Sequence, residues 1–239
     1  MIAHGLTLCL LALAGSPRPG AGPAPDTESL YTARRLELVR SFGTQGLRDS
    51  ATLAAMRAVR RHEFVAREYR SQAYEDHPLP IDCGQTISQP SLVARMTELL
   101  RPRRGMKVLE VGTGSGYQAA VLAQIGCRVF TIEIFEALAT SARERLRRLG
   151  YRDVAVRHGD GYLGWPEEAP FDAIIVTAGA EHVPRPLVEQ LRPGGRMLIP
   201  VASTSGDEEL TLLEKDARGR VRTRDAGPVR FVPLLRGVR

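Results

Sequence analysis

The run VLEVGTGSGYQ, Val108 to Gln118, joins two unlike textures. Its opening residues are apolar and β-branched around one acid, as in a short buried strand. Glycines follow at 112, 114 and 116, and the next residues, YQAAVLAQIG, read as a helix closed by Gly126. Glycine between a strand and a helix permits a tight turn. It also lets a ligand approach the backbone beside a helix N-terminus, where unpaired N–H groups favour acceptors. The spacing narrows the reading. A dinucleotide fingerprint G-x-G-x-x-G needs glycine at 117, and that residue is Tyr117, so the third glycine comes one place early.

Downstream, the same rhythm repeats. RVFTIEI reads as a strand, FEALATSARERLRRLG as a helix closed by Gly150, VAVRHGDG as a strand and turn, and FDAIIVTAGA as a buried strand. RPLVEQLRPGGRMLIPV gives a helix, a Gly-Gly turn and another strand, while EELTLLEKD and VRFVPLL are expected as an antiparallel edge pair. Alternating strands and helices of this size predict an α/β fold with a doubly wound, Rossmann-like sheet and an antiparallel C-terminal edge. Upstream, TESLYTARRLELVRSF (Thr27 to Phe42) predicts a helix with Leu30, Leu36, Leu38 and Val39 as its apolar positions. DSATLAAMRAV predicts a second helix, RHEFVAREYRSQAYEDHPLP a loop, and SLVARMTELL an amphipathic helix ending before Pro102. These would form an N-terminal helical cap, making residues 27–239 a single domain.

Beside Glu110, the acid that precedes the glycine loop, two further acids fall where a nucleoside would use them. Glu133 ends the second strand about 20 residues beyond the loop, where a carboxylate can accept from both ribose hydroxyls. Asp160, with Gly161, ends the third strand, and a carboxylate there can accept from an adenine amino group. Acids in this order at successive strand ends imply an adenosyl-type cofactor. The G-x-G-x-G form after an acid resembles the first motif of the class I S-adenosylmethionine-dependent methyltransferases.

One segment ahead of that domain is unlike core material. DCGQTISQP, Asp82 to Pro90, puts Ser88 and Gln89 just before a proline, so either suits a helix cap. Capping leaves Gly84, Gln85 and Thr86 unexplained. The stretch AYEDHPLPIDCGQTISQPSLVARMTELL, with RHEFV, FDAIIVTAGAEHVP, LRPGGRMLIPV and VRFVPL, closely resembles the protein-L-isoaspartate O-methyltransferase family from about Thr27 to the end. Asp82 and Cys83 depart from it, standing where smaller or glycine-like residues are expected, as does Ser91, where bacterial relatives often carry an aromatic. The resemblance implies S-adenosyl-L-methionine as cofactor and isoaspartyl-containing proteins as substrates. It places Gln85, Thr86, Glu110, Gly112, Gly114, Gly116, Glu133, Asp160 and Gly161 around the cofactor, and Ser88 at the substrate carboxylate. Gly84 to Ser88 would be a carboxylate cradle. The rival readings are a class I methyltransferase acting on a small molecule or RNA, a non-catalytic cofactor-binding adaptor, and a nicotinamide oxidoreductase, which the early third glycine disfavours.

Bulk composition bounds these choices. The chain has 239 residues, 43% of them hydrophobic, enough for one large core. Its net charge of +6 comes mostly from dispersed arginines, and no basic stretch is interleaved with aromatics, so nucleic acid is not the expected partner. Cys9, Cys83 and Cys127 form no CxxC pair, which argues against a zinc site or disulfide framework. Cys83, inside the loop, could serve as a nucleophile but, with no histidine partner in view, reads as an ordinary buried or partly buried thiol. LTLCLLALAG, Leu6 to Gly15, followed by a Pro/Gly-rich spacer, has the length of a signal-peptide core and is too short to span a membrane. Residues 1–26 are therefore set apart as an extension. MIAHG lacks the positive charge of an n-region, and an adenosyl cofactor is made inside the cell, so a cytoplasmic location is expected, with export as the alternative.

Overall fold

Five parallel strands carry the site, and their sequence explains why they lie at the centre. A computed structural model describes residues 27–203 and 207–237. The 1–26 extension, with its signal-like run and Cys9, lies outside the described residues. The central strands are β3 (Lys107–Val111), β4 (Arg128–Glu133), β5 (Val154–His158), β6 (Phe171–Val176) and β7 (Leu191–Ala202), followed by β8 (Glu208–Lys215) and β9 (Val221–Val229). They form one sheet in the order β5-β4-β3-β6-β7-β8-β9. β5 to β7 pair in parallel, whereas β8 and β9 are antiparallel, as expected.

Alternate residues of these strands feed two different apolar clusters. Val108, Val129, Ile175 and Leu198 face one side, and Leu109, Phe130, Ile174 and Ile199 the other. A sheet covered on both faces needs unbroken apolar runs, which is why its strands were legible. The first face is covered by the N-terminal helices α1 (Thr27–Thr44), α2 (Ser50–Ala58) and α3 (Pro90–Leu100), together with α4 (Tyr117–Ile125). On the second, Leu187 of α6 (Arg185–Gln190) is fully buried. α5 (Glu136–Arg148) packs beside β4 and β5. The chain runs from β3 outward to β5 and then crosses back to β6 on the other side of β3. That reversal opens a crevice at the strands' carboxyl ends, where open α/β sheets bind ligands.

Four local expectations are corrected. VRFVPLL is not the last strand, because β9 is the preceding VRTRDAGPV. β9 has an open edge and Val221 to Asp225 are exposed, so its charges carry no burial cost and hide the strand signal. Gly194 and Gly195 do not end an element, since β7 passes through them with a register shift against β6. Leu30 of α1 is exposed, and that helix buries Arg35, Val39 and Phe42. Finally, the supposed loop after α2 holds two 3₁₀ turns, Arg61–Phe64 and Arg67–Gln72, before a small antiparallel pair, β1 (Leu79–Pro80) with β2 (Thr86–Ile87). No described helix is long and apolar enough to cross a membrane.

Candidate active site

The glycine loop turns under tight constraint at the end of β3. Gly112 and Thr113 donate N–H bonds to Ile132 O, at 2.9 and 3.2 Å, and Thr177 N–H returns to Val111 O at 2.9 Å. A Cβ at Gly112 would lie 2.5 Å from Thr177 Oγ1, and Gly112 has φ +98°, so only glycine fits there. Gly114 N–H donates to Glu133 Oε2 at 2.7 Å, while Phe135 N–H reaches Glu133 Oε1 at 3.1 Å. Glu133 is only 4% exposed, yet it lines the cavity with Gly112 and Gly114. Its carboxylate therefore ties the loop to the end of β4 before any ligand arrives.

Glu110 lies beneath them with no exposure at all. Burial pushes its carboxyl up to about 8; the hydrogen bond from Thr131 Oγ1, at 2.5 Å, opposes the rise, and neighbouring Glu133 adds to it. Thr113 and Thr131 share a further bond at 2.6 Å. Glu110 Oε1 has no partner among the described residues, although Glu110 borders the cavity. A buried polar oxygen without a partner is costly, so this atom is suited to a polar group delivered by a ligand.

The structure brings most of the expected residues together. Gln85, Thr86, Ser88, Glu110, Gly112, Gly114, Glu133 and Gly161 all line one cavity. Two do not. Gly116, at φ +88°, faces α5, and a Cβ there would meet Leu146 Cδ1 at 3.1 Å, so its smallness serves helix packing. Asp160 lies off the cavity, with Oδ1 accepting from Tyr162 N–H at 2.9 Å and Oδ2 from Gly237 N–H at 3.1 Å. The thiols also divide: Cys127 is buried, but Cys83 is exposed at φ +58°, contrary to expectation.

Ser88 is not the helix cap. Gln89 occupies the cap position of α3 and makes no side-chain cap bond; instead Asp76 Oδ1 accepts from Ser91 N–H at 2.8 Å. Asp76 lies fifteen positions earlier, and no local motif announces it. Relieved of capping, the Ser88 hydroxyl makes no hydrogen bond among the described residues. With Thr86 and Val232 it borders both the cavity and a wider outer groove.

Sequence reasoning also missed the C-terminal wall. Val232 to Leu235 cross the cavity as a strap, held by Gly179 N–H to Val232 O at 2.8 Å and Leu234 N–H to Gly179 O at 2.7 Å. Arg236 lies over the Tyr162 ring at 3.8 Å, beside the Asp160 to Gly237 bond. The apolar run VRFVPLL was the available signal, read as a strand because strand and strap both want apolar residues.

Comparison with known proteins identifies the family. The family described as protein-L-isoaspartate(D-aspartate) O-methyltransferase matches residues 33–239. The protein-L-isoaspartate O-methyltransferase 2 of Syntrophobacter fumaroxidans is 51% identical, over 97% of this chain and 96% of its own. A counterpart from Nitrosospira multiformis is 53% identical, over 89% and 92%. Among solved structures, a protein-L-isoaspartate O-methyltransferase superposes with TM-score 0.77 at 33% identity, covering 83% of this chain and 65% of its own. A Plasmodium falciparum chain assigned to the same family, in complex with S-adenosyl-L-homocysteine, gives 0.72 at 25% identity, covering 84% and 98%. With the match spanning nearly the whole described chain, this protein belongs to the protein-L-isoaspartate(D-aspartate) O-methyltransferase family.

Proposed function

We propose that this protein methylates the free α-carboxylate of isoaspartyl residues in damaged proteins, with S-adenosyl-L-methionine as donor. The observation that carries the substrate side is the meeting of the two cavities at Thr86 and Ser88. A side chain passing from the outer groove to the inner cavity would meet these hydroxyls beside Val232. The residues present fit the cofactor. Glu133 suits a ribose, the Gly112 to Ser115 backbone admits close approach, and Glu110 Oε1 has no partner among the described residues.

When bound, the cofactor supplies a methyl group on a sulfonium cation. The substrate carboxylate, with an unperturbed pKa near ~4, is ionised at neutral pH and needs no general base. What the chain supplies is position, which can be worth on the order of 7–11 kcal/mol. Ser88 Oγ orients the carboxylate as a donor without attacking anything. The strap lines the site with apolar Val232, Pro233, Leu234 and Leu235, and polar contacts strengthen as such a lining displaces water. The resulting ester favours succinimide closure and a gradual return to normal aspartate.

The test is methyl transfer from labelled cofactor to an isoaspartyl peptide beside the matching aspartyl peptide and an RNA. Labelling of the isoaspartyl peptide alone is expected; equal labelling of both peptides, or of RNA only, overturns the reading. We place the enzyme in the cytoplasm, and the catalytic unit in residues 27–239. A chain trimmed of residues 1–26 should keep full kcat/KM. A mature N-terminus between Ser16 and Ala24, found outside the cytoplasm, would overturn that placement.

A further inference from the structure

The outer groove carries charge that the methylation chemistry does not use. It has a cavity volume of about 870 Å³ and runs from the α1–α2 connection, past the exposed side of α3, to the segment after β9. Its walls are largely apolar, with Leu47, Leu92 and Phe231 among them, and three charged side chains line it: Arg95, Glu98 and Arg230. The acid is already engaged. Glu98 Oε1 accepts from Arg48 N–H at 3.0 Å and Asp49 N–H at 2.9 Å, fixing the start of α2. Arg95 is pinned by its Nη2 donating to Ala226 O, beside Gly227, where a Cβ would stand 3.0 Å from that nitrogen. Arg230 is exposed and has no ion pair or hydrogen bond among the described residues. The groove thus presents a fixed and a free guanidinium, and the carboxylates around it are each tied to backbone: Glu98 to Arg48 and Asp49, Asp76 to Ser91, and Glu208 to Phe231.

Resting on the function proposed above, we propose that this groove holds the polypeptide flanking the isoaspartyl residue, and that Arg95 and Arg230 make the enzyme favour damage sites with a nearby Asp or Glu. Charge complementarity names the occupant. An acidic side chain beside the modified residue would meet guanidinium donors whose planar fork matches a carboxylate. A lysine there would face two like charges, and rejection of that kind contributes to specificity as much as attraction does. Exposed pairs of this sort are individually weak and screened by salt, so the effect is a preference with a strong salt dependence.

The experiment compares short isoaspartyl peptides carrying Glu, Lys or Ala two positions before or two positions after the modified residue. For at least one side, kcat/KM for the Glu peptide is expected about tenfold above that of the Lys peptide at low salt, mainly through KM. Salt near 0.5 M should shrink the ratio to about twofold. Arg230→Gln should cut it to about threefold, and the double variant Arg95→Gln/Arg230→Gln should bring it to unity. The ratio is read within each variant, so a general loss of activity cancels. Equal rates for Glu and Lys on both sides, a Lys preference, or a ratio undiminished in the double variant overturns this inference alone. Failure of the wild-type enzyme to methylate the Ala-flanked isoaspartyl peptide overturns the functional reading beneath it.

Discussion

Ser88 separates two explanations of the same motif, because Asp76 performs the capping that Ser88 was expected to share. Ser88→Ala should leave the melting temperature and cofactor affinity near wild type, yet lower kcat/KM for isoaspartyl peptide at least tenfold. Asp76→Ala should instead cost about 0.5–2 kcal/mol of stability, the range for a lost N-cap, measured by denaturant unfolding. Wild-type turnover in a folded Ser88→Ala variant would remove Ser88 from the substrate site. Glu133 holds the glycine loop and is also placed for a ribose, so its two substitutions should differ. Glu133→Ala should weaken cofactor binding at least tenfold by calorimetry, since charge-assisted bonds are worth about 1.5–3 kcal/mol each. Glu133→Gln, which keeps an acceptor and the side chain's size, should lose less. Glu110 gives a pH signature. Its carboxyl rises from 4.5 to about 8 on folding, so the folded state binds the extra proton between those values. Its contribution is fully present below pH 4.5 and is lost as pH rises through 8. Glu110→Gln, neutral throughout, should flatten the fall in unfolding free energy over that window.

At the scale of elements, the strap after β9 differs from what surrounds it. Val232 and Leu234 each share one backbone bond with Gly179, and the end of the strap is held at Asp160 and Tyr162. A segment held by so few bonds opens at low free energy. Bound S-adenosyl-L-homocysteine should therefore slow trimming of the C-terminus by carboxypeptidase, and Asp160→Ala should speed it. Identical trimming rates in all three cases would remove the strap from any role in retaining the cofactor. The sequence revealed the elements unevenly, for a common physical reason. β3, β4 and β6 were legible because burial on both faces demands apolar runs such as VLEV and AIIV. β9 was not, because an open edge tolerates Arg222, Arg224 and Asp225. Within the site, the glycine loop and Glu133 were legible from spacing along single strand ends. Asp76, the strap and the Gly116 contact with Leu146 were hidden because each depends on a neighbour distant in sequence.

For the molecule as a whole, the order of strands leaves two edges, β5 and β9, and the second is the longer. A nine-residue edge strand presents a row of unpaired backbone groups to any similar strand, which is a route to edge-to-edge association. Here Arg222 and Arg224 stand two apart, on one face of the exposed half of β9, and Gly227 and Pro228 break its far end. Pairing two copies through this edge would bring like charges together, and Pro228 has no N–H to contribute. The charges that hid this strand in the sequence thus guard it in the structure. Arg222→Val/Arg224→Val keeps β propensity and removes the repulsion, leaving the register with β8 to the unaltered β8 residues, including buried Leu212 and Leu213. The double variant should fold with wild-type methyl transfer on a short isoaspartyl peptide, because neither arginine lines the cavity or the outer groove. Its mean mass by light scattering should rise with protein concentration, over a range in which the wild-type value holds constant. If both proteins give the same mass across that range, the arginines have no part in keeping β9 unpaired.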